Sequence, residues 1–307
     1  MKALSIVFAL LFSSLSLANP LKDIVVFGDS LSDNGNIYEF MGHRLPQSPP
    51  YYSGRFSNGL LWVEHLAQSY YPDNASAHLF DYAFGGAGVS FDIGDEDLFS
   101  LRREMDVYLS SHEGKADENS LFVVWIGANN YLGLPEEVED TLTQVNAGIA
   151  RDLRYLVAAG ARHILVVNLP DLGTTPAAVE LGSKETLSYF SKRHNALLLN
   201  TVNELKQENP DVQWIHFDAN NGVKEFIKSP EKYGFTNVTE SCYDTLIDKH
   251  APNTMLSIAA NVKIQEDATC EGYLFFDRVH PAAPAHRLLA EQTKAVLDTA
   301  GVEFSQE

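Results

Sequence analysis

A serine near the start of the chain directly follows an apolar run. Residues 24–27 are Ile-Val-Val-Phe, and Gly28, Asp29 and Ser30 come next. A short apolar run that ends at a glycine predicts a buried strand of a parallel sheet. A serine just past the carboxyl end of such a strand lies at the edge where open α/β sheets bind ligands. Its hydroxyl could act as a nucleophile once a base takes its proton, although the alternative role of a strand-end serine is to cap a helix.

A histidine near the other end of the chain could supply that base. His280 follows Asp277 by three residues and stands directly before Pro281 and a predicted helix. A carboxylate that accepts the Nδ1–H of a histidine fixes the ring tautomer and stabilises the imidazolium that forms when Nε2 takes a proton. Among the ten histidines of the chain, His280 is therefore the candidate base, with Asp277 as its partner.

Two further strand-to-helix junctions carry groups that could stabilise a negative charge. Gly86 lies in the run Gly-Gly-Ala-Gly at 85–88, where missing β-carbons let a backbone N–H approach a ligand. Asn129 follows the apolar run 121–126 and offers a side-chain amide. With the backbone N–H of Ser30, these groups would form an oxyanion hole of three donors. Taken singly, Gly86 could be a turn residue and Asn129 a helix cap.

The spacing of the apolar runs predicts the scaffold that positions these groups. Strands alternate with helices along the whole chain, which predicts an α/β fold with a parallel sheet and helices on both faces. The predicted strands are 24–27, 79–84, 121–126, 163–168 and 212–217. The principal predicted helices are 60–70, 98–111, 136–159, 187–208, 223–228 and 282–300. The segment 234–271 is predicted to be irregular.

Four short blocks resemble the signature blocks of the GDSL, or SGNH, hydrolases. They read Phe-Gly-Asp-Ser-Leu-Ser-Asp at 27–33, Gly-Gly-Ala at 85–87, Gly-Ala-Asn-Asn at 127–130 and Asp-Arg-Val-His-Pro at 277–281, in the order of that family. The resemblance implies a three-layer, flavodoxin-like fold with a five-stranded parallel sheet, and a serine ester hydrolase that needs no metal or organic cofactor. It also implies the catalytic set Ser30, Asp277 and His280 and an oxyanion hole of Ser30, Gly86 and Asn129. Asn130 replaces an aspartate of the family pattern, so the hydrogen bonds of that loop are expected to differ.

Within the family, the run Asp-Asn-Gly-Asn at 33–36 and the late cysteine-containing segment resemble the lipid-acting bacterial branch. That branch comprises secreted phospholipases A, lysophospholipases A and glycerophospholipid–cholesterol acyltransferases. It implies a secreted lysophospholipase A or phospholipase A with a lysophospholipid or phospholipid ester as substrate and peripheral contact with lipid aggregates. Three alternatives stay open: an acyltransferase to sterol, a carbohydrate or short-chain acetyl esterase, and a non-enzymatic binding module. Ser32 stands where the pattern Gly-x-Ser-x-Gly has its second glycine, which disfavours the ordinary α/β-hydrolase fold.

The amino terminus has the pattern of a secretory signal peptide. Lys2 precedes an apolar block over 3–17, and Ser-Leu-Ala at 16–18 forms a small-x-small cleavage site. We expect cleavage after Ala18, an extracellular or periplasmic protein, and a single hydrolase domain over 19–307. No later segment has the roughly 18 apolar residues that a transmembrane helix needs. The formal net charge of −19 disfavours nucleic acid and anionic lipid as partners.

The chain has two cysteines, Cys242 and Cys270. In an exported protein such a pair is expected to form a disulfide, with two unpaired thiols as the alternative. Two cysteines are too few to hold a structural zinc ion by themselves. Because the loop between them precedes Asp277 and His280, we expect it to cover the site or to position that turn.

Overall fold

A five-stranded parallel sheet forms the centre of the computed structural model, which describes residues 20–91, 99–243 and 270–305. The strands are β1 (Asp23–Gly28), β2 (Leu79–Asp81), β3 (Ser120–Trp125), β4 (His163–Val167) and β5 (Gln213–Phe217), in the order β2-β1-β3-β4-β5. This is the flavodoxin-like order, whose ligands bind where β1 meets β3. Ser30, two residues beyond the end of β1, therefore lies at that point.

Helices complete the predicted three-layer arrangement. The helices are α1 (Asn36–Phe40), α2 (Trp62–Tyr70), α3 (Leu101–Ser111), α4 (Asn129–Leu132), α5 (Val138–Ala159), α6 (Pro176–Glu180), α7 (Lys184–Glu208), α8 (Ala219–Lys228) and α9 (Ala283–Thr299). Helix α9 contacts both α2 and α8, and helix α5 contacts both α3 and α7. The α/β fold with a five-stranded parallel sheet is thus confirmed.

The central strands are apolar throughout because helices cover both faces of the sheet. Ile24, Val25, Val26 and Phe27 of β1 are all buried, and the whole of β3 is buried as well. β1 and β3 pair along their full lengths, with Gly28 opposite Trp125. This pairing places the residues that follow β1 and β3 side by side at one edge of the sheet.

The segment between β5 and α9 contains a second sheet, which the sequence did not predict. β6 (Asn237–Ser241) and β7 (Tyr273–Phe275) pair in parallel. The prediction of an irregular segment over 234–271 is therefore wrong for β6. Its residues Asn-Val-Thr-Glu-Ser include one apolar side chain and no fully buried one, so no apolar alternation marks the strand.

Cys242 and Cys270 form the predicted disulfide, with their Cα atoms 5.3 Å apart. Cys242 follows β6 and Cys270 precedes β7, so the bond links the segments that flank the two strands. Cys270 packs in a small apolar cluster with Tyr51, Phe56 and Phe276. Residues 244–269, which lie between the cysteines, are outside the described residues, so the expected role of that loop stays a prediction.

No helix within the described ranges is long and apolar enough to cross a membrane. The predicted signal peptide lies outside those ranges and stays a prediction.

Candidate active site

The turn that carries Ser30 is shaped by its neighbours in sequence. Asp29 accepts hydrogen bonds from Leu31 N–H at its side chain, at 3.0 Å, and from Ser32 and Asp33 N–H at its carbonyl, at 2.9 and 3.0 Å. Gly28 is required because a β-carbon there would lie 2.6 Å from the carbonyl oxygen of Trp125 on β3. The strand therefore passes β3 closely and turns sharply, which places Ser30 at the sheet edge.

Three predicted site residues form one hydrogen-bonded chain in the structure. His280 Nε2 lies 2.9 Å from Ser30 Oγ, and His280 Nδ1 lies 2.6 Å from Asp277 Oδ2. All three residues are fully buried. With its hydrogen on Nδ1, the ring donates to Asp277 and accepts from the Ser30 hydroxyl, which is the arrangement that a general base needs.

Asp277 receives four hydrogen bonds from the residues that the structure describes, two at each oxygen. Oδ1 accepts from the backbone N–H groups of Val279 and His280, at 2.9 and 2.7 Å. Oδ2 accepts from His280 Nδ1 and from the hydroxyl of Tyr51, which lies 2.5 Å away. Burial raises the pKa of the Asp277 carboxyl, but the charge of His280 and these hydrogen bonds outweigh it and bring the pKa below its ordinary value. Asp277 is thus held as a carboxylate.

Two backbone N–H groups at this edge lack a hydrogen-bond acceptor among the described residues. They belong to Ser30, which is fully buried, and to Gly86, which has a positive φ of 85°. Buried backbone N–H groups are nearly always paired, so an unpaired one beside a nucleophile suits an anion that forms during reaction. Gly86 and Asn129 are partly exposed whereas Ser30 is not. A substrate would therefore approach from the side of Gly86 and Asn129.

Asn129 and Asn130 join the loop after β3 to the loop of Gly86. Asn129 Nδ2 donates to Ala87 O at 2.8 Å, which uses one of its two amide hydrogens. Asn130 accepts from Val89 N–H at 2.9 Å and donates to Val89 O at 3.1 Å. An aspartate at position 130 could make only the first of these two bonds, so the departure from the family pattern adds a donor to the junction.

Sequence reasoning missed Tyr51 and the neighbouring residues of the loop between α1 and α2. The ring of Phe56 lies 5.0 Å from the ring of His280, and Ser57 Oγ donates to Pro281 O at 2.9 Å. The sequence marks 46–59 as a loop rich in aromatic residues and proline. The sequence contains no signal that shows which side chain of this loop contacts the turn of Asp277 and His280, more than two hundred positions later.

The surroundings of two other buried histidines, His194 and His286, keep both rings neutral. Burial lowers the pKa of His194 to about 3. Burial and the charge of His280 lower the pKa of His286 to about 3 as well. His194 Nδ1 lies 2.9 Å from the hydroxyl of Tyr131 in α4, and its ring lies against Gly127. Both rings are therefore neutral, and His194 supports the turn that carries Asn129.

A buried carboxyl group lies behind the nucleophile turn. Glu104 Oε2 accepts from Gly28 N–H at 2.8 Å, while Oε1 has no partner among the described residues. Burial, together with the charges of Asp81, Asp29 and Asp33, raises the pKa of Glu104 well above its ordinary value. The folded state therefore holds this proton to a higher pH than the unfolded state, so stability falls as the pH rises between the two pKa values.

We expect Glu104→Gln to stabilise the protein at pH 8 and to have little effect near pH 4. Glutamine keeps the acceptor for Gly28 N–H and removes the cost of ionising a buried group. A gain of about 1 kcal/mol would raise the melting temperature by roughly 2–4 °C. Thermal unfolding from pH 4 to 8 measures this, with the exposed Glu118→Gln as the control. The prediction would be contradicted if Glu104→Gln melted below the wild-type protein by the same amount at pH 4 and at pH 8.

Residues 24–293 match the model of a protein family described as GDSL-like lipase/acylhydrolase. The chain belongs to this family. It is therefore a carboxylic ester hydrolase, and its substrate is an ester. The bacterial lipid-acting relatives below agree with the predicted branch of the family.

Several named relatives of this GDSL hydrolase align over most of its length. A phosphatidylcholine-sterol acyltransferase of Aeromonas hydrophila is 30% identical, with 90% of each chain aligned. The secreted effector protein SseJ of Salmonella typhimurium is 30% identical over 87% of this chain and 61% of its own length. A thermolabile hemolysin of Vibrio parahaemolyticus is 26% identical over 88% of this chain and 62% of its own length. The chain thus spans about three fifths of the last two proteins.

Two solved structures that align with this hydrolase over most of its length share little sequence with it. A carbohydrate acetylesterase of Sinorhizobium meliloti has a TM-score of 0.48 and 14% identity, covering 91% of this chain and 98% of its own. The aryl esterase of M. smegmatis, with inhibitor bound, has a TM-score of 0.48 and 16% identity, covering 90% and 100%.

Proposed function

We propose that this GDSL hydrolase is exported and releases fatty acids from lysophospholipids and phospholipids through an acyl-enzyme on Ser30. The observation that carries the mechanism is the buried chain from Ser30 Oγ to His280 and Asp277, with separations of 2.9 and 2.6 Å. The N–H groups of Ser30 and Gly86, which have no acceptor in the described part of the chain, lie on the same edge of the sheet. Together they provide a nucleophile, a base and an anion site.

The first half of the reaction forms the acyl-enzyme. Ser30 Oγ attacks the ester carbonyl carbon while its proton passes to His280 Nε2. The carbonyl oxygen becomes an oxyanion, which accepts from Ser30 N–H, Gly86 N–H and the second amide hydrogen of Asn129. Losing one such donor costs about 2.7–4 kcal/mol in other enzymes of this chemistry. When the tetrahedral intermediate collapses, the bond to the leaving alcohol breaks and His280 returns the proton to that oxygen.

The second half regenerates the serine. Water attacks the acyl carbon while His280 Nε2 takes one of its protons. The bond to Ser30 Oγ then breaks, and the proton returns to the serine as the fatty acid leaves. Asp277 stays ionised throughout and stabilises the imidazolium.

An apolar groove beside the oxyanion loop supports a fatty acyl substrate. The groove has a volume of about 470 Å³ and is lined by Phe40, Phe84, Phe99 and Val107 among others. The three aromatic rings contact one another, and Phe40 is 60% exposed and Val107 46% exposed. Phe84 precedes Gly86 by two residues, so their Cα atoms are at most about 8 Å apart. An ester whose carbonyl oxygen is held at Gly86 could extend its chain into this groove.

Two further observations support the proposal. The SseJ relative is named as secreted, and the disulfide of this chain suits an oxidising compartment. The net charge of −19 favours neutral or zwitterionic substrates over anionic ones.

A panel of esters tests the substrate class. We expect the protein to release fatty acid from lysophosphatidylcholine. We also expect it to hydrolyse phosphatidylcholine faster than acetylated sugars. The Phe40→Ala variant is expected to lose about tenfold in kcat/KM on a twelve-carbon nitrophenyl ester and little on the acetate, because it removes an apolar contact with the chain. The exposed Leu199→Ala on α7 is the matched control. Hydrolysis of acetylated sugars alone, or equal losses on both nitrophenyl esters, would refute the lipid assignment.

Acyl transfer to a sterol is the second candidate function. It is favoured by the 30% identity, over 90% of both chains, with a protein named phosphatidylcholine-sterol acyltransferase. In that reaction a sterol hydroxyl replaces water as the attacking group in the second half. Adding cholesterol to phosphatidylcholine vesicles and separating sterol ester from free fatty acid distinguishes the two outcomes.

A further inference from the structure

Asp277 has a hydrogen-bond donor that comes from the far end of the chain. The hydroxyl of Tyr51 donates to Asp277 Oδ2 at 2.5 Å, and the same oxygen accepts from His280 Nδ1 at 2.6 Å. Tyr51 is 2% exposed, so water does not compete for this bond. The two donors share one carboxylate oxygen, which places Tyr51 one bond away from the base.

The loop of Tyr51 is attached to both sides of the turn that carries Asp277 and His280. On one side, the ring of Tyr51 packs edge-on against Phe276, with the ring centroids 5.0 Å apart. On the other side, Asn58 Oδ1 accepts from Ala283 N–H at 2.8 Å. These contacts hold the tyrosine hydroxyl in one place relative to the carboxylate.

We propose that Tyr51 is a positioning residue that acts on His280 through Asp277. Its hydroxyl stabilises part of the negative charge on Oδ2, which His280 would otherwise neutralise alone, and it fixes the plane of the carboxylate. This inference depends on the proposed function, because it gives Tyr51 a role only if His280 is the base. Burial and the neighbouring charge of Asp277 raise the pKa of Tyr51 well above its ordinary value, so the hydroxyl stays a donor at every pH where the enzyme would work.

Removing the hydroxyl has two separate consequences. Asp277 keeps its bonds to Val279, His280 N–H and His280 Nδ1, but loses the contact that opposes rotation of its carboxylate. The negative charge on Oδ2 is then neutralised by His280 alone, which favours the imidazolium form. A base that is more readily protonated needs a higher pH before it can accept the serine proton.

Other groups face His280 and remain in place when Tyr51 is changed. Asp29 and His286 interact electrostatically with the ring, and Phe56 packs on it. Since the substitution leaves all three intact, a change in the pH profile would report the bond between Tyr51 and Asp277.

We expect Tyr51→Phe to lower kcat on a soluble nitrophenyl ester by about tenfold, in line with loss of a hydrogen bond to a charged group. KM should change by less than about twofold, because Tyr51 is buried and does not line the groove proposed for the acyl chain. The midpoint of the acidic limb of kcat/KM should move upward by about half a pH unit. Tyr70→Phe is the matched control, because Tyr70 OH also donates to a carboxylate, Asp298, at 2.9 Å, but between α2 and α9.

A double variant shows whether Tyr51 acts through Asp277. In an Asp277→Asn background, Tyr51→Phe should lower the residual kcat by less than about twofold, because the charge that it modulates is gone. A full tenfold loss in that background would overturn the proposal. So would a Tyr51→Phe protein that melts at a lower temperature but keeps the wild-type kcat and pH profile.

Incorporation of 3-fluorotyrosine at position 51 provides the test if Tyr51→Phe fails to fold. The fluorinated hydroxyl is a stronger donor of nearly the same size, so the acidic limb should move downward; no movement would overturn the proposal. Ser30→Ala separates this inference from the function on which it depends. An active Ser30→Ala protein refutes the proposed function, whereas an inactive one together with an unchanged Tyr51→Phe refutes only the role of Tyr51.

Discussion

Ser30→Ala is expected to abolish ester hydrolysis, with a loss on the order of 10⁶-fold in kcat. Without Oγ there is no acyl-enzyme, and His280 Nε2 loses the hydroxyl that lies 2.9 Å away. The fold should remain, because the backbone turn is held by the bonds of Leu31, Ser32 and Asp33 to Asp29 and not by the serine side chain. Hydrolysis of a nitrophenyl ester and labelling by a fluorophosphonate probe both measure this loss.

Ser32→Ala is the matched control for that substitution. Ser32 lies on the same turn and is equally buried, but its Oγ accepts from Trp62 Nε1 at 3.1 Å. We expect this variant to lose about 1 kcal/mol of stability and to keep its activity within a few-fold. A Ser30→Ala protein that hydrolyses the ester or takes up the probe at the wild-type rate would refute the assignment of the nucleophile.

Asp277→Asn is expected to lower kcat/KM by about 10⁴-fold. All four groups that face the Asp277 carboxylate are donors: two backbone N–H groups at Oδ1, and His280 Nδ1 and Tyr51 OH at Oδ2. An asparagine that turns its NH₂ group toward the backbone N–H groups sets donors against donors. One that turns its NH₂ group toward His280 forces the ring hydrogen onto Nε2, where the ring can no longer accept the serine proton. The substitution also removes the charge that stabilises the imidazolium. Both effects act on the proton transfer, so the loss should appear mainly in kcat.

Asp298→Asn is the control for this prediction. Asp298 also accepts from a tyrosine hydroxyl and a cation, but on the surface between α2 and α9. Its neutralisation should leave kcat unchanged. If Asp277→Asn retained more than about a tenth of the wild-type kcat while its fold was intact, Asp277 would not be the partner of the base.

The main elements of the fold follow from local patterns in the sequence. The apolar runs at 24–27, 121–126 and 163–168 predict central strands because a strand covered on both faces needs apolar residues throughout. β2 ends earlier than predicted, at Asp81, where the carboxylate accepts from Ala83 N–H at 2.9 Å and bends the chain. β6 has no alternation of apolar and polar residues, because none of its side chains is buried. Backbone pairing with β7 holds the strand instead.

The residues of the candidate site likewise fall into those that the sequence predicts and those that it does not. Ser30, Asp277 and His280 could be proposed from the sequence, because the turns that carry them are built by bonds over two to four residues, such as Leu31 N–H to Asp29. The disulfide could be proposed because the chain has a single pair of cysteines. The role of Tyr51 could not, since its partner lies 226 positions away and its loop has no periodic pattern.

By itself, the sequence determined the parallel sheet, the junctions at its carboxyl edge and the residue types of a serine ester hydrolase. These features depend on local hydrogen bonds and on apolar periodicity, which a linear pattern records. Only the tertiary structure decided which distant groups meet: His280 Nε2 lies 2.9 Å from Ser30 Oγ, and the tyrosine of a distant loop donates to Asp277. Such contacts depend on how loops pack against one another at one edge of the sheet, and each is made by a single side chain whose direction no neighbouring residue specifies.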